Sequence, residues 1–405
     1  MHRPTALALA CLAAALSGAS PAGAKVRDCA VLADRLAALE ADPAANPGRA
    51  MRLARRYADH CVHLNEVQVL GSHNSYHIQP RPALLNALIV FSPEFQGFEY
   101  THIPLYDQFE TQGIRQIELD VFHDPDGGLY GNRPVLTLLG DDPMAPPALF
   151  EPGLKTFHVQ DVDFESTCLT FVECLQDIDA WSRDNRGHLP LVVLIEVKDD
   201  PIPDPLNLGF VVPLPFAADA FDAVDAEIRS VFPERRMITP DDLRGAHATL
   251  EEAILQDGWP TLKESRGKVL FLLDNGGGKR DIYVAGRPSL EGRVLFTNAN
   301  PGDPDAAFVK RNDPIGDTDI PGLVEAGYLV RTRADADTVE ARINDTVPRD
   351  AALASGAQYV STDYPVPDPD FGTPYFVEIP AGEPGRCNPL NAPAGCRNAA
   401  LERLR

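Results

Sequence analysis

What this chain lacks narrows its chemistry before any motif is considered. The N-terminal apolar run, Ala6 to Leu16, is too short to cross a bilayer, and no later stretch approaches the roughly 20 residues a spanning helix needs. Basic charge is scarce: 36 Lys and Arg stand against 59 Asp and Glu, a net charge of −23. A face that neutralises nucleic-acid phosphates needs the opposite balance. The same deficit disfavours simple electrostatic docking onto anionic lipid. No Gly-rich phosphate loop follows the first strand-like segment, as a doubly wound nucleotide-binding sheet would require. No two cysteines stand at C-x₂-C spacing, so a structural zinc site lacks its usual ligand pattern.

What is present points outside the cytosol. His2 and Arg3 precede the apolar run, and Ala22-Gly23-Ala24 offers an A-x-A site, the pattern of a secretory signal peptide cut after Ala24. The mature protein is then expected to be secreted, extracellular or periplasmic. Cleavage removes Cys11 and leaves Cys29, Cys61, Cys168, Cys174, Cys387 and Cys396. An even number in an oxidising compartment predicts disulfides. Proximity along the chain favours Cys29–Cys61, Cys168–Cys174 and Cys387–Cys396. The first closes the longest loop and should stabilise most, about 4 kcal/mol against about 2 for each of the others.

The pattern of apolar residues divides the chain after the leader, residues 1–24. Residues 25–65 read as a helical hairpin: Val31, Leu32, Leu36 and Leu39 share one helical face, and Met51, Leu53, Ala54 and Tyr57 another. Pro43 and Asn46-Pro47-Gly48 break them apart. Across 66–366 short apolar segments alternate with helices. Strands are predicted at 67–72, 114–121, 156–160, 190–197, 268–274, 293–297, 327–332 and 357–362. Helices are predicted at 173–184, 217–231, 248–256, 321–326, 338–345 and 348–355. Leu191 to Ile195 and Val269 to Leu273 are continuous apolar runs, as buried parallel strands should be. Eight such units predict an α/β fold, a (β/α)₈ TIM-type barrel. Residues 367–405, rich in Pro and Gly, read as a disulfide-tied tail.

In such a barrel the active site collects at the C-terminal ends of the strands. There the sequence places His73 and Asn74, Glu118 and Asp120, His158, Glu196 and Lys198, Asp274, Arg331 and Arg333, and Asp363. Glu118 and Asp120 point to one side of a strand. Two carboxylates side by side repel each other and cost desolvation unless a cation lies between them. Arg331 and Arg333 also share a strand face, so both or neither should point inward. His63, His77, His102, His123, His188 and His247 read as surface or packing residues.

Taken together, these segments resemble the calcium-dependent phosphatidylinositol-specific phospholipases C, in particular the secreted bacterial branch. Ser72-His73-Asn74-Ser75-Tyr76 is similar to the family's S-H-N-[ST]-Y element, and Glu118-Leu119-Asp120 to its E-L-D element. His158 follows at the third predicted strand and Glu196 at the fourth. Thr167-Cys168, Cys174-Leu175, Trp181-Ser182 and Ser361-Thr362-Asp363-Tyr364-Pro365 extend the likeness over about 66–366. The resemblance implies cleavage of an inositol phospholipid to diacylglycerol and a cyclic inositol phosphate, at a membrane surface and without a transmembrane segment. It implies Ca²⁺ held by Asn74, Glu118, Asp120 and Glu196, an all-oxygen set suited to a hard cation. His73 is then expected to act as base and His158 as acid, with Glu118 an alternative base, while Lys198, Arg331 and Arg333 hold the phosphate or head group. A monomer is expected.

Two other readings share many of these residues. Glycerophosphodiester phosphodiesterases also combine a His with an E-x-D pair and can end in T-D-Y-P, but their first strand ends in H-R-G. A catalytically silent barrel that only binds lipid head groups would not need both histidines and all four oxygen ligands. Two apolar loops, Leu84 to Phe91 and Leu206 to Phe216, are expected at the catalytic rim, either dipping into lipid or packing on the barrel.

Overall fold

The computed structural model describes residues 21–42 and 46–402, so the apolar run of the expected leader lies outside the described residues. Among the described residues ten strands are found: β1 (Val67–Ser72), β2 (Gln116–Phe122), β3 (Leu191–Lys198), β4 (Met237–Ile238), β5 (Val269–Leu273), β6 (Leu295–Thr297), β7 (Phe308–Lys310), β8 (Leu329–Arg333), β9 (Tyr359–Thr362) and β10 (Gly385–Cys387). Eight parallel strands in the order β4-β5-β3-β2-β1-β9-β8-β7 curl 261° round an axis and leave edges 13 Å apart. The expected closed (β/α)₈ barrel is therefore corrected to an open, curled half-barrel with flanking helices.

The structure departs from the expected barrel in two places, and the sheet opens at the second. Residues 156–160 do not form a strand, and β2 pairs directly with β3 from Gln116–Val192 to Phe122–Lys198. The stretch between β2 and that segment contains only short 3₁₀ turns, Pro134–Leu139 and Pro147–Phe150. A parallel crossover needs a dozen or more residues that pack back on the sheet, usually as a helix. At the far side β4, β6 and β7 are too short to build a full ladder. β4 pairs the first two residues of β5 and β6 its last three, and a single parallel bridge, Asn298–Phe308, reaches β7. The sequence reading missed β4 and β7.

The centre of the sheet is dry. β1, β2 and β5 are buried at every position, as are the first five residues of β3. The last residues of β3 lead out at the C-terminal rim, where Glu196 and Lys198 are only half-buried. The tail does more than wrap: β10 joins the sheet antiparallel to β1, Val67 opposite Cys387. Gly71 lies in a close approach to the Gln116 side chain. It pairs with Gln116, and a Cβ there would fall 1.9 Å from the Gln116 side-chain oxygen. This contact draws the end of β1 against β2.

Helices Pro21–Ala41 and Pro47–Cys61 are tied by Cys29–Cys61, and the other disulfides join Cys168–Cys174 and Cys387–Cys396. The sequence separations are 32, 6 and 9 residues. Replacing both Cys29 and Cys61 by serine is expected to lower stability by about 4 kcal/mol in urea denaturation, against about 2 kcal/mol for Cys168 and Cys174. Equal losses would refute the loop-length account.

Candidate active site

The β1 end is hooked onto β2 by its own serine. Ser75 N–H donates to the Glu118 carbonyl at 2.9 Å, and Glu118 N–H donates to Ser75 Oγ at 2.9 Å. The turn between them puts Asn74 at φ 41°, a left-handed conformation that asparagine tolerates better than most residues. Its amide nitrogen donates to the Tyr100 hydroxyl at 3.0 Å, while its buried Oδ1 has no partner. Asn74 thus keeps a bare, buried carbonyl oxygen just past the end of β1.

Those carboxylates form one cluster. Oxygens of Glu118, Asp120 and Glu196 lie within 4.8 Å of one another. Neither oxygen of fully buried Asp120 has a hydrogen-bond partner, although Lys198 Nζ stands 3.3 Å away. Burial, then Glu196 and Glu118, push the Asp120 carboxyl well above its usual range, against the pull of Lys198. Burial raises Glu118 to about 7 even though Arg331 opposes it. Carboxylate oxygens held this close together, with those of Asp120 buried and orphaned, fit a hard divalent cation. The sequence reading named these three carboxylates, together with Asn74, as calcium ligands.

Both histidines are backed by an aspartate. His73 Nδ1 meets Asp363 Oδ1 at 2.7 Å, and Asp363 Oδ2 accepts from Arg333 Nη2 at 3.1 Å. The other nitrogen, Nε2, is 3.9 Å from Glu118 Oε1. Burial and the nearby Arg333 hold His73 down at about 3, despite Asp363, so its ring is neutral at working pH. His158 lies in a loop rather than on a strand. Paired backbone bonds between Val159 and Asp163, both 2.9 Å, fold that loop so that Asp163 Oδ2 returns to His158 Nδ1 at 2.7 Å. A row of rings joins the two: centroids run 6.3 Å from His73 to Tyr100, 4.2 Å on to His77, and 5.6 Å on to His158.

The profile of the calcium-dependent phosphoinositide phospholipase C family matches residues 62–389. The chain belongs to that family. It is a calcium-dependent phosphodiesterase of phosphoinositide-type substrates, a phosphoric diester hydrolase. No curated protein sequence matches it. A solved calcium-dependent phosphatidylinositol-specific phospholipase C from Streptomyces antibioticus is 19% identical, with 75% of this chain and 96% of that one covered and a TM-score of 0.48. A calcium-dependent phosphoinositol-specific phospholipase C from a Gram-negative Pseudomonas sp. is 15% identical over 82% of this chain and 96% of its own, also at 0.48. The family assignment rests on the profile, not on these two.

Within this phospholipase C the three cations named from sequence have different surroundings. Arg331 and Arg333 both turn inward. Arg331 is buried and occupied: its guanidinium donates to Glu118 at 2.5 Å, to Asn312 at 2.5 Å and to Ser361 at 3.1 Å. It fixes Glu118. Arg333 binds Asp363 and the Asp335 carbonyl and stays partly open to the rim. Lys198 reaches Asp120 at 3.3 Å and Glu196 at 3.5 Å, so its ammonium sits over the cluster. Burial disfavours its charge, but those two carboxylates raise its pKa.

Sequence reasoning missed His77, Tyr100 and Asp163, and named Asp363 only as a strand-end acid. His77, read as packing or surface, is buried with Nδ1 3.0 Å from the Tyr100 carbonyl and Nε2 2.9 Å from Asp163. Both nitrogens face oxygen partners. Asp163 stays ionised: burial opposes its charge, but His77 and His158 outweigh that. The available signal was the spacing His158-x₄-Asp163, which a tight turn closes. Asp163→Asn is expected to lower kcat on the order of 10- to 100-fold, the worth of a hydrogen bond to a charged group. The loss should vanish in a His158→Ala background. An additive loss would make Asp163 merely structural.

Proposed function

We propose that this phospholipase C cleaves phosphatidylinositol through attack of the inositol 2-hydroxyl on phosphorus. A new O–P bond forms as the P–O bond to glycerol breaks, giving diacylglycerol and a cyclic inositol phosphate. The observation that carries this reading is the pair of imidazoles, each held at Nδ1 by an aspartate and each leaving Nε2 for substrate. His73 takes the 2-hydroxyl proton, as its neutral ring allows. His158 gives a proton to the glycerol oxygen. Burial lowers its pKa, and the phosphodiester's negative charge, once bound, works the other way. Arg333 and Lys198 are the cations that meet the phosphate, and Arg331 positions Glu118. An internal nucleophile needs orientation more than activation, and orientation supplies roughly 7–11 kcal/mol of the barrier.

Asn74, Glu118, Asp120 and Glu196 would hold calcium, which would lower the hydroxyl pKa and neutralise charge developing on the phosphoryl oxygens. Phosphorus NMR of phosphatidylinositol and of glycerophosphoinositol, each with and without chelator, tests the whole reading. A cyclic phosphate from phosphatidylinositol, lost on chelation, is expected. Turnover of glycerophosphoinositol alone would replace this reading with the glycerophosphodiester one. Three disulfides and the leader-like N-terminus support a protein working outside the cytosol, on lipid at a membrane surface. Among the described residues no helix is long and apolar enough to cross a membrane.

The two apolar loops divide between the earlier alternatives. Phe216, Leu84, Leu85 and Leu88 are buried packing residues, whereas Val90 is 88% and Phe91 65% exposed. The exposed set, with Leu206 and Val212, gives an acidic protein an apolar lip for lipid.

A further inference from the structure

Helix Pro82–Phe91, the turn Pro93–Phe98, the turn Pro134–Leu139 and the loop at 202–210 enclose a cavity of about 590 Å³. Protein interiors are close-packed, and a void this large lies within the range of small-molecule sites, roughly 300–1,000 Å³. Only Ser92, Glu94 and Asp204 among its lining residues are polar. The Asp204 carboxylate accepts from the backbone N–H groups of Leu208, Gly209 and Phe210 at 2.9, 2.8 and 3.2 Å. Its charge is therefore spent on folding the loop over the cavity.

The position of the cavity identifies its occupant. Phe98 lines it and also stacks edge-on against His158, with ring centroids 5.0 Å apart. Val159, the next residue after His158, lines it too. At the other end Phe91, Leu138 and Leu206 line it and are exposed. The cavity is thus lined both by exposed apolar residues of the lip and by Phe98 and Val159, which adjoin the imidazole proposed to protonate the leaving oxygen. That oxygen belongs to glycerol, and the acyl esters hang from the other two carbons of the same glycerol. We infer that this cavity binds one acyl chain of the substrate's diacylglycerol moiety, so that the enzyme takes hold of a chain as well as the head group. The inference rests on the proposed phosphatidylinositol cleavage.

Monomeric phosphatidylinositols with acyl chains of four to eight carbons, used below their aggregation concentrations, test it. A chain entering the cavity should raise kcat/KM about fourfold per added methylene, the equivalent of about 0.8 kcal/mol. Leu88→Trp, which fills the cavity, should flatten that slope. The unaltered enzyme in chelator should also bind dioctanoylglycerol saturably, one per chain, by calorimetry, and Leu88→Trp should not. A flat slope below aggregation with a jump above it would mean that the apolar residues meet only the bilayer, and would overturn the inference. So would a steep slope that Leu88→Trp leaves intact. Failure to cleave any phosphatidylinositol would overturn the proposed activity instead, and dioctanoylglycerol binding would then decide the cavity by itself.

Discussion

Replacing Asp120 by asparagine is expected to lower kcat roughly 10²–10⁴-fold while making the calcium-free protein more stable. The two effects have one cause. Asp120 is fully buried, neither of its oxygens has a hydrogen-bond partner, and it shares its site with Glu118 and Glu196. Burial and those neighbours raise its carboxyl pKa, so the ionised form is carried at a cost in the absence of a cation. Asparagine keeps the shape and removes that cost. It also removes the charge that would draw in calcium, which is worth several kcal/mol of charge stabilisation at phosphorus. Calcium stabilises whatever state binds it, so the rise in melting temperature on adding calcium should shrink or vanish in the variant. Thermal unfolding with and without calcium, alongside kcat, checks both parts. An unchanged calcium-induced shift would remove Asp120 from the ligand set.

The residues that build this site were unevenly legible. The ends of β1 and β2 were readable because a period-2 apolar pattern ends at His73-Asn74 and brackets Glu118 and Asp120. Arg331 and Arg333 were readable as a same-face pair, and both turn inward. What each arginine does was not readable, because Arg331 meets Glu118 from 213 positions away in the sequence. One predicted strand failed for a particular reason. Thr156 to Gln160 alternates like a strand, but the preceding connection has no helix to return the chain parallel, and β2 and β3 close the gap between themselves. Weighing the connection, not only the segment, would have removed that strand. His77 looked like packing because burial by itself carries no sequence signature. Its bridging of Tyr100 and Asp163 depends on a loop that leaves the sheet and returns.

Asp363→Asn is expected to cost as much as removing His73, the base proposed for the 2-hydroxyl proton. One Asp363 oxygen takes the proton of His73 Nδ1 at 2.7 Å and the other takes Arg333 Nη2 at 3.1 Å. Asparagine has a single acceptor oxygen for the two. Arg333 is always charged and is anchored by a second bond from its Nε to the Asp335 carbonyl at 2.9 Å, so the amide oxygen should turn to the arginine. The amide N–H₂ then faces His73 Nδ1 and can only donate to it. That fixes the proton on Nε2, where the 2-hydroxyl proton has to arrive, and the base is lost in the wrong tautomer. A fall in kcat of roughly 10³–10⁴-fold is expected, close to that of His73→Ala, and the double variant should lose little more. KM should change less than kcat, because the ground-state head group does not depend on the tautomer. Nitrogen NMR of the His73 ring provides a readout that simple unfolding would not move: protonation should shift from Nδ1 to Nε2. A folded variant that keeps kcat within a few-fold, or a ring still protonated at Nδ1, would assign the base elsewhere, with Glu118 the next carboxylate in reach at 3.9 Å.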